Sequence, residues 1–166
     1  ADFTGDGRHE TVLGGLDGKI YVISPEGTLL PGFPVDLGST FNSELSVASF
    51  DQGQSLDIVA GCVNGDLYRI SSTGEIRPGF PVNLGSSITG APGVMQGRIY
   101  AGTNTHIHKV LPSGSITSSI PIDASMAGGA VFGDIVYNGK LDLAFVTISG
   151  QLYAMDEDLM MITGFP

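Results

Sequence analysis

A repeat of 47 residues constrains this chain more than any other feature of its sequence. Residues 31–39 return as residues 78–86, 47 positions later, with one difference in nine, and a weaker copy of the Phe-Pro signature lies at 163–166. Periods of about 40 to 50 residues that contain short, apolar-alternating strands are typical of β-propeller blades and related arrays. The repeat therefore predicts an all-β fold with essentially no α-helix.

Turn residues divide each unit into strands. Asp17-Gly18 and Asn64-Gly65 supply the positive φ of a tight hairpin turn, and small residues dominate the segments that would run along a crowded axis. We predict about four four-stranded antiparallel blades in units 1–39, 40–86, 87–125 and 126–166, of which the first lacks its inner strand. Four blades are few for a closed ring. We therefore expect a fragment of a larger propeller, whose open edges associate with a second chain or with the rest of a longer one.

Charge and hydropathy exclude several classes of partner. Seventeen acidic and seven basic residues give a net charge of −10, which disfavours nucleic acid because phosphate binding needs clustered lysine and arginine. The chain has no apolar run of the length that a transmembrane helix requires. The single cysteine, Cys62, removes any disulfide framework and is interpreted as a small buried residue in register with Gly15 and Gly102.

Oxygen-bearing side chains alternate in the loop at residues 2–10. Asp2, Thr4 and Asp6 precede a glycine, and the Arg8 carbonyl and the Glu10 carboxylate follow it. Calcium binds six to eight oxygen ligands of this kind in flexible geometry. These five residues predict a Ca²⁺ site, although Thr4 is a weaker ligand than aspartate and an ordinary acidic loop remains the alternative.

The equivalent loops have lost ligands to different extents. The loop at 49–57 lacks the first and fifth ligands and is predicted to be metal-free, and the third unit lacks the loop. The fourth keeps Asp134, Asn138 and Asp142 but has Val136 at the third position, so its metal binding is left open. This pattern predicts that the loops are structural staples of individual blades.

Two histidines offer a second candidate site. His106 and His108 are two residues apart, so both face one side of a strand, and a zinc site could begin with such a pair. A third ligand would have to come from elsewhere. His108 also occupies the repeat position of Tyr21, Tyr68 and Tyr153, which favours a structural role between blades.

The loop at residues 2–10 and the Gly-Lys-Ile-Tyr hairpin that follows it resemble the FG-GAP or VCBS repeat of integrin-α-like β-propellers. The resemblance spans the whole chain and is strongest in the first, second and fourth units. It implies a ring, commonly of seven blades, with calcium in the loop between the first and second strands. It also implies an extracellular, cell-surface or periplasmic location and a role in adhesion, scaffolding or carbohydrate binding.

Together these features predict a non-catalytic, calcium-binding propeller module that binds a protein or a glycan. No arrangement of catalytic serine, cysteine or paired carboxylates stands out in the sequence. Because one fold serves many functions, an accessory or catalytic propeller domain of a secreted hydrolase or lyase is the alternative. A catalytic domain elsewhere in the same open reading frame would favour that alternative.

Overall fold

The computed structural model describes residues 1–41, 44–51 and 55–165. Across these residues the chain forms β-strands and turns and no helix. The strands are β1 (Thr11–Gly14), β2 (Lys19–Ile23), β3 (Val35–Asp36), β4 (Ser46–Ser49), β5 (Leu56–Gly61), β6 (Asp66–Ser71), β7 (Val82–Asn83), β8 (Gly93–Met95), β9 (Arg98–Gly102), β10 (His106–Val110), β11 (Ile116–Pro121), β12 (Val131–Gly133), β13 (Asp142–Val146) and β14 (Leu152–Met155).

These strands form four antiparallel sheets, which we call blades one to four. Blade one is β1-β2-β3, blade two is β4-β5-β6-β7, blade three is β8-β9-β10-β11 and blade four is β12-β13-β14. Each sheet lies inside one predicted repeat unit. Within the described residues, blade one has no inner strand, and the outer strand of blade four is represented by the isolated bridge between Met155 and Met161.

Alternation along the central strands joins each blade to both of its neighbours. In β5, Ile58 and Ala60 pack against blade one, whereas Val59 packs against blade three. Blades three and four meet in the same way through Tyr100 and Phe145. Because successive strand residues point to opposite faces, the central strands of blades two and three each contribute to two interfaces, and the core consists of three interblade layers.

The Phe-Pro signature lies between two short pieces of the outer strand. In blade one an isolated bridge pairs Ile23 with Leu29, and β3 follows the signature and pairs with the start of β2. Phe33 and its repeat Phe80 are buried in the interblade cores. Sequence reasoning placed the outer strand before the signature, whereas most of its pairing comes after it.

The third repeat is aligned one residue differently from the sequence-based alignment. Gly102 pairs with Ile107 as Gly61 pairs with Leu67, because the hairpin turn of blade three is one residue shorter. Cys62 therefore corresponds to Thr103 and Thr147, which form equivalent bridges, and not to Gly102. The predicted burial of Cys62 is confirmed, and desolvation raises the pKa of its thiol to about 11.

Candidate functional site

The loop at residues 2–10 forms a compact bend around the Asp2 carboxylate. The two oxygens of Asp2 accept hydrogen bonds from the backbone N–H groups of Gly5 at 2.7 Å and Gly7 at 2.9 Å. The Gly7 N–H in particular holds the pKa of the Asp2 carboxyl below its ordinary value. Gly5 and Gly7 both have positive φ, which lets the backbone turn its amides toward this carboxylate. Asp2 thus organises the bend.

Glu10 closes the same loop from the strand side. Its side chain is 4% exposed, and one carboxylate oxygen accepts a hydrogen bond from the Phe3 N–H at 2.6 Å. The Glu10 backbone N–H donates to the Ala1 carbonyl at 2.8 Å. Asp6 accepts a hydrogen bond from the Arg8 N–H at 2.8 Å. All three predicted carboxylate ligands therefore cap backbone amides of their own loop.

The remaining predicted ligands lie at the surface. Arg8 is half exposed, and its guanidinium forms an ion pair with Glu26 across the hairpin. Thr4 is exposed and borders a cleft of about 300 Å³ between the loop and Leu56 of blade two. All five predicted ligands thus belong to the loop that precedes β1.

The fit of a calcium ion to this loop is partial. The donor set, three carboxylates with hydroxyl and carbonyl oxygens, has the chemistry that Ca²⁺ requires. However, among the residues that the structure describes, no three acidic, histidine or cysteine side chains converge as a metal centre. In this conformation the carboxylates of Asp2, Asp6 and Glu10 are directed at backbone N–H groups. Binding an ion would therefore require them to turn toward a shared point.

The loop of blade four repeats this arrangement. Asp134 accepts hydrogen bonds from the N–H groups of Asn138 and Gly139, each at 2.9 Å, and Asn138 accepts one from Lys140. Asp142, 1% exposed, accepts one from the Ile135 N–H at 2.9 Å. The hydrogen-bond framework is thus preserved where the third ligand position has become Val136. The framework does not depend on a complete ligand set.

The buried acid of blade two is held by arginine side chains. Asp57, at the repeat position of Glu10, is 1% exposed and accepts hydrogen bonds from Arg69 Nε at 2.6 Å and Arg77 Nη2 at 2.7 Å. Arg69 also donates to the Pro112 carbonyl of blade three and stacks over the Phe50 ring. Residues 52–54 of the loop predicted to be metal-free lie outside the described residues. Sequence reasoning missed this network of ion pairs. Its only signal in the sequence was a pair of arginines whose distance along the chain from Asp57 suits neighbouring strands of one sheet.

The two histidines do not gather further ligands. The rings of His106 and His108 are 5.8 Å apart, and His106 Nδ1 is 2.9 Å from the Thr105 hydroxyl. Within the described residues, neither ring nitrogen of the buried His108 has a hydrogen-bond partner. Burial, with a smaller contribution from His106, lowers the pKa of His108. Its position matches that of Tyr68, in agreement with the structural interpretation.

A second feature, which sequence reasoning missed, is a row of apolar residues at the hairpin tips. Leu16, Val63 and Ile148 occupy the same position in the turns after β1, β5 and β13, and their exposed fractions are 93%, 38% and 71%. Asn104 holds this position in blade three. We call these four residues the hairpin face. The alignment of the repeats could have revealed this row, because apolar residues at the tip of a turn cannot be buried in the core.

A cleft of about 410 Å³ adjoins the hairpin face. Asn104 and Ile148 line it together with Glu44, Thr89 and Ser125, from the segments that lead into the inner strands. Ser125 donates a hydrogen bond to the Asn104 side-chain oxygen at 3.0 Å. The cleft therefore offers mainly polar groups beside the exposed apolar tips.

Solved structures of similar fold confirm the β-propeller architecture. A structure of BBS1N in complex with ARL6DN matches with a TM-score of 0.70 and 18% identity, over 90% of this chain and 48% of that one. BamB from Moraxella catarrhalis matches with a TM-score of 0.66 and 14% identity, over 91% and 47%. A Bacteroides caccae protein of unknown function matches with a TM-score of 0.55 and 12% identity, over 92% and 55%. At these identities the likeness shows the fold alone.

The chain spans about half the length of the solved chains it matches. No protein-family model matches it, and neither does any curated protein sequence. Over the described part of the chain, no helix has the length and hydropathy needed to cross a membrane.

Proposed function

We propose that this chain is a non-catalytic β-propeller module that binds a protein partner through the hairpin face. One observation carries the proposal: three blades present an exposed apolar side chain at the same turn position, and one of these residues, Ile148, lines a cleft of about 410 Å³. Repetition across blades places the apolar tips on one rim of the molecule. Exposed apolar surface that is bordered by polar residues is characteristic of protein–protein interaction sites.

The chemistry of the face favours a protein over a glycan. Leu16, Val63 and Ile148 are aliphatic, whereas sugar recognition uses planar rings and dense hydrogen bonding. Glu44 is the charged residue of the cleft, and the chain as a whole carries a net charge of −10. An apolar segment with a basic residue would complement both features. A protein complex among the similar folds, BBS1N with ARL6DN, is consistent with this use of a propeller.

A random peptide library displayed on phage tests the proposal with a defined probe. Selection on the parent chain should enrich peptides that combine apolar and basic residues. Binding should fall at least about tenfold, a loss of about 1.4 kcal/mol, in Leu16→Asp and Ile148→Asp, because each buries a charge at the interface. Met160→Asp is the control, since Met160 is 64% exposed but lies outside the hairpin face. Peptides that bind all four proteins equally would contradict the proposal, and selective binding on a glycan array would favour a lectin.

The calcium site is a separate proposal. Asp2, Thr4, Asp6, the Arg8 carbonyl and Glu10 would hold Ca²⁺ and lock blade one to its entry loop. Titration calorimetry should detect one site in the parent and none in Asp6→Ala. A concentration of 100 times Kd should raise the free energy of unfolding by about 2.7 kcal/mol.

Asp134→Ala is the matched control for the calcium experiment, because it disrupts the equivalent loop of blade four. Its calcium titration should resemble that of the parent. A parent protein that releases no heat with Ca²⁺, and whose Tm is unchanged by EDTA, would show that the loop is held by its amide hydrogen bonds alone.

Calcium binding at this loop would also support membership in the FG-GAP or VCBS class and, with it, an extracellular, cell-surface or periplasmic location. The alternative, an accessory or catalytic propeller of a secreted hydrolase or lyase, is distinguished by the complete open reading frame.

A further inference from the structure

Charged side chains are divided unevenly between the two ends of the blades. One end, which we call the hairpin end, carries the turns after β1, β5, β9 and β13 and with them the hairpin face. Every charged side chain of the sequence belongs to the described residues, and among them Lys19, the first residue of β2, is the one basic residue at the hairpin end. The other six lie toward the opposite end: Arg8, Arg69, Arg77, Arg98, Lys109 and Lys140.

Acidic residues occur at both ends. Those at the hairpin end are Asp17, Asp36, Glu44, Asp66 and Asp123. Asp17 and Asp66 flank the turns after β1 and β5, and Asp36 pairs with the first residue of β2. Asp123 accepts a hydrogen bond from Ser149 in the turn after β13, and Glu44 lines the cleft beside the hairpin face. Five acids and one lysine give the hairpin end a net charge of −4.

Ion pairs between the described residues are confined to the opposite end. They join Arg8 to Glu26, Arg69 and Arg77 to Asp57, Lys109 to Asp158, and Lys140 to Glu157. Within the described ranges, none of the five acids of the hairpin end belongs to an ion pair. The opposite end therefore neutralises part of its negative charge within the chain, whereas the hairpin end presents its negative charge to the surroundings.

Neutral side chains hold two of these acids in place. Asp66 accepts a hydrogen bond from the Asn83 side-chain amide at 2.8 Å. Asp123 accepts hydrogen bonds from the hydroxyls of Ser149 and Tyr153, and the bond from Ser149 in particular lowers the pKa of the Asp123 carboxyl. Amide and hydroxyl donors orient a carboxylate without cancelling its charge. Both carboxylates are therefore fixed and remain negative.

The position of these two acids does not depend on what lies beside the first or the last blade. Asp66 belongs to blade two, and Asp123 follows the outer strand of blade three. Each of these blades has a neighbour on both sides. Asp66 is half-buried and Asp123 is exposed, and both lie at the rim that carries the hairpin turns. Further blades would extend this rim around the axis.

We infer that the partner of the hairpin face is a basic polypeptide segment, in which lysine or arginine side chains pair with Glu44, Asp66 and Asp123. The inference rests on the proposed function and names the class of partner. Cationic side chains form charge-assisted hydrogen bonds with oriented carboxylates, and complementary charge speeds the encounter of two proteins. A bound divalent cation would need several carboxylates to converge, and the described residues contain no such cluster of three.

Peptides selected from the random phage library on the parent chain are the probe for this inference. They should contain lysine and arginine more often than the unselected library does. Glu44→Gln/Asp66→Asn/Asp123→Asn should raise the Kd of the synthetic peptides at least about tenfold, mainly by slowing association, because charges at the rim of an interface act on the encounter. Surface plasmon resonance measures both rate constants.

The matched control removes the same number of charges from the opposite end. Glu26, Asp51 and Glu75 are all exposed there. Glu26→Gln/Asp51→Asn/Glu75→Gln has the same net charge as the first triple variant, so it separates a local contact from the general field of the protein. Its Kd for the peptides should stay within about twofold of the parent value.

A salt titration of the parent tests the same inference without any substitution. Raising NaCl from about 50 to about 500 mM shortens the range of interactions between exposed charges. The Kd of the parent–peptide complex should rise at least about tenfold over this range, and that of the Glu44→Gln/Asp66→Asn/Asp123→Asn variant should change much less. Equal salt dependence in the two proteins contradicts the inference.

The outcomes separate this inference from the proposed function. Peptides that lose affinity in Leu16→Asp and Ile148→Asp, but respond neither to the triple variant nor to salt, overturn the basic partner and leave the protein-binding face intact. Peptides that respond to none of these changes overturn both. Displacement of the peptides by about 1 mM CaCl₂ at constant ionic strength would assign the acids to a cation and would also overturn the inference.

Discussion

Blades one and two have a buried carboxylate at the same repeat position, but different groups form its hydrogen bonds. In blade one, Glu10 faces a backbone N–H from its own loop, so the corner is closed locally. In blade two, Asp57 faces two guanidinium groups from β6 and the segment after it. This repeat position therefore has a buried acid in both blades, whereas the group that donates hydrogen bonds to the acid differs between them. In blade two the cations are arginine side chains of the chain itself, whereas the loop of blade one retains the oxygen ligands predicted to bind a metal cation.

The largest expected effect comes from removing the acid of blade two. Asp57→Ala should lower the free energy of unfolding by about 3–5 kcal/mol, because Arg69 would keep a buried charge without its partner. Urea denaturation followed by circular dichroism measures the change. Glu75 is an exposed acid that follows β6, and Glu75→Ala should change the free energy of unfolding by less than about 0.5 kcal/mol. A small effect of Asp57→Ala would mean that water reaches this corner freely.

A smaller effect is expected where the acid caps amides. Asp142→Ala should cost about 1–3 kcal/mol, since the Ile135 N–H loses its partner but no buried cation is left behind. The same denaturation experiment, with Val136→Ala as a control in the same loop, checks the value. If Asp142→Ala costs as much as Asp57→Ala, the distinction between the two corners is wrong.

The contrast between satisfied and unsatisfied polar groups recurs between Tyr68 and His108. The Tyr68 hydroxyl donates to the Leu37 carbonyl at 3.1 Å, whereas the His108 ring has no such partner among the described residues. His108→Phe should therefore raise stability by about 1 kcal/mol at pH 7.

The same residue predicts a pH dependence. Because burial lowers the pKa of His108 in the folded state, the unfolded chain binds its proton first as pH falls, and stability should decrease on acidification from pH 7.5 to 5.5. His108→Phe should flatten the dependence of Tm on pH over this range. An unchanged slope in His108→Phe would assign the dependence to other groups.

The smallest effect is expected at Cys62. The hydroxyl of Thr103 at the equivalent position donates to the His106 carbonyl at 3.1 Å, so Cys62→Thr should stay within about 1 kcal/mol of the parent. With a pKa of about 11, the native thiol should resist Ellman's reagent at pH 8 and react fully in denaturant. Fast reaction of the folded chain would place Cys62 at the surface.

The repeat was enough to predict four antiparallel sheets, because a period of one blade fixes which strands pair. It also located Cys62 in the core and His108 between blades. The register of blade three was predicted with an error of one residue, because a shortened hairpin turn does not change the pattern of apolar residues in the strands. The partners of Asp57 were missed because side chains 12 and 20 residues apart meet only after the sheet has formed.

The candidate sites were predictable to different degrees. The loop at residues 2–10 could be identified from its acidic spacing, but not the use of those acids as amide caps, which depends on backbone conformation. The hairpin face was overlooked because its three apolar residues are isolated in the sequence and come to one rim only through the repetition of the blades.

The two-sided packing of the central strands in blades two and three has a consequence for how the molecule loses its structure. Because a blade contacts only its immediate neighbours, loss of one interblade layer should affect the two blades beside it more than any other, as in other stacked repeats. Amide hydrogen exchange should then be slow in β5 and β6, whose residues pack into two of these layers. A ligand that bridges adjacent blades would slow exchange in both, so the same measurement maps where it sits.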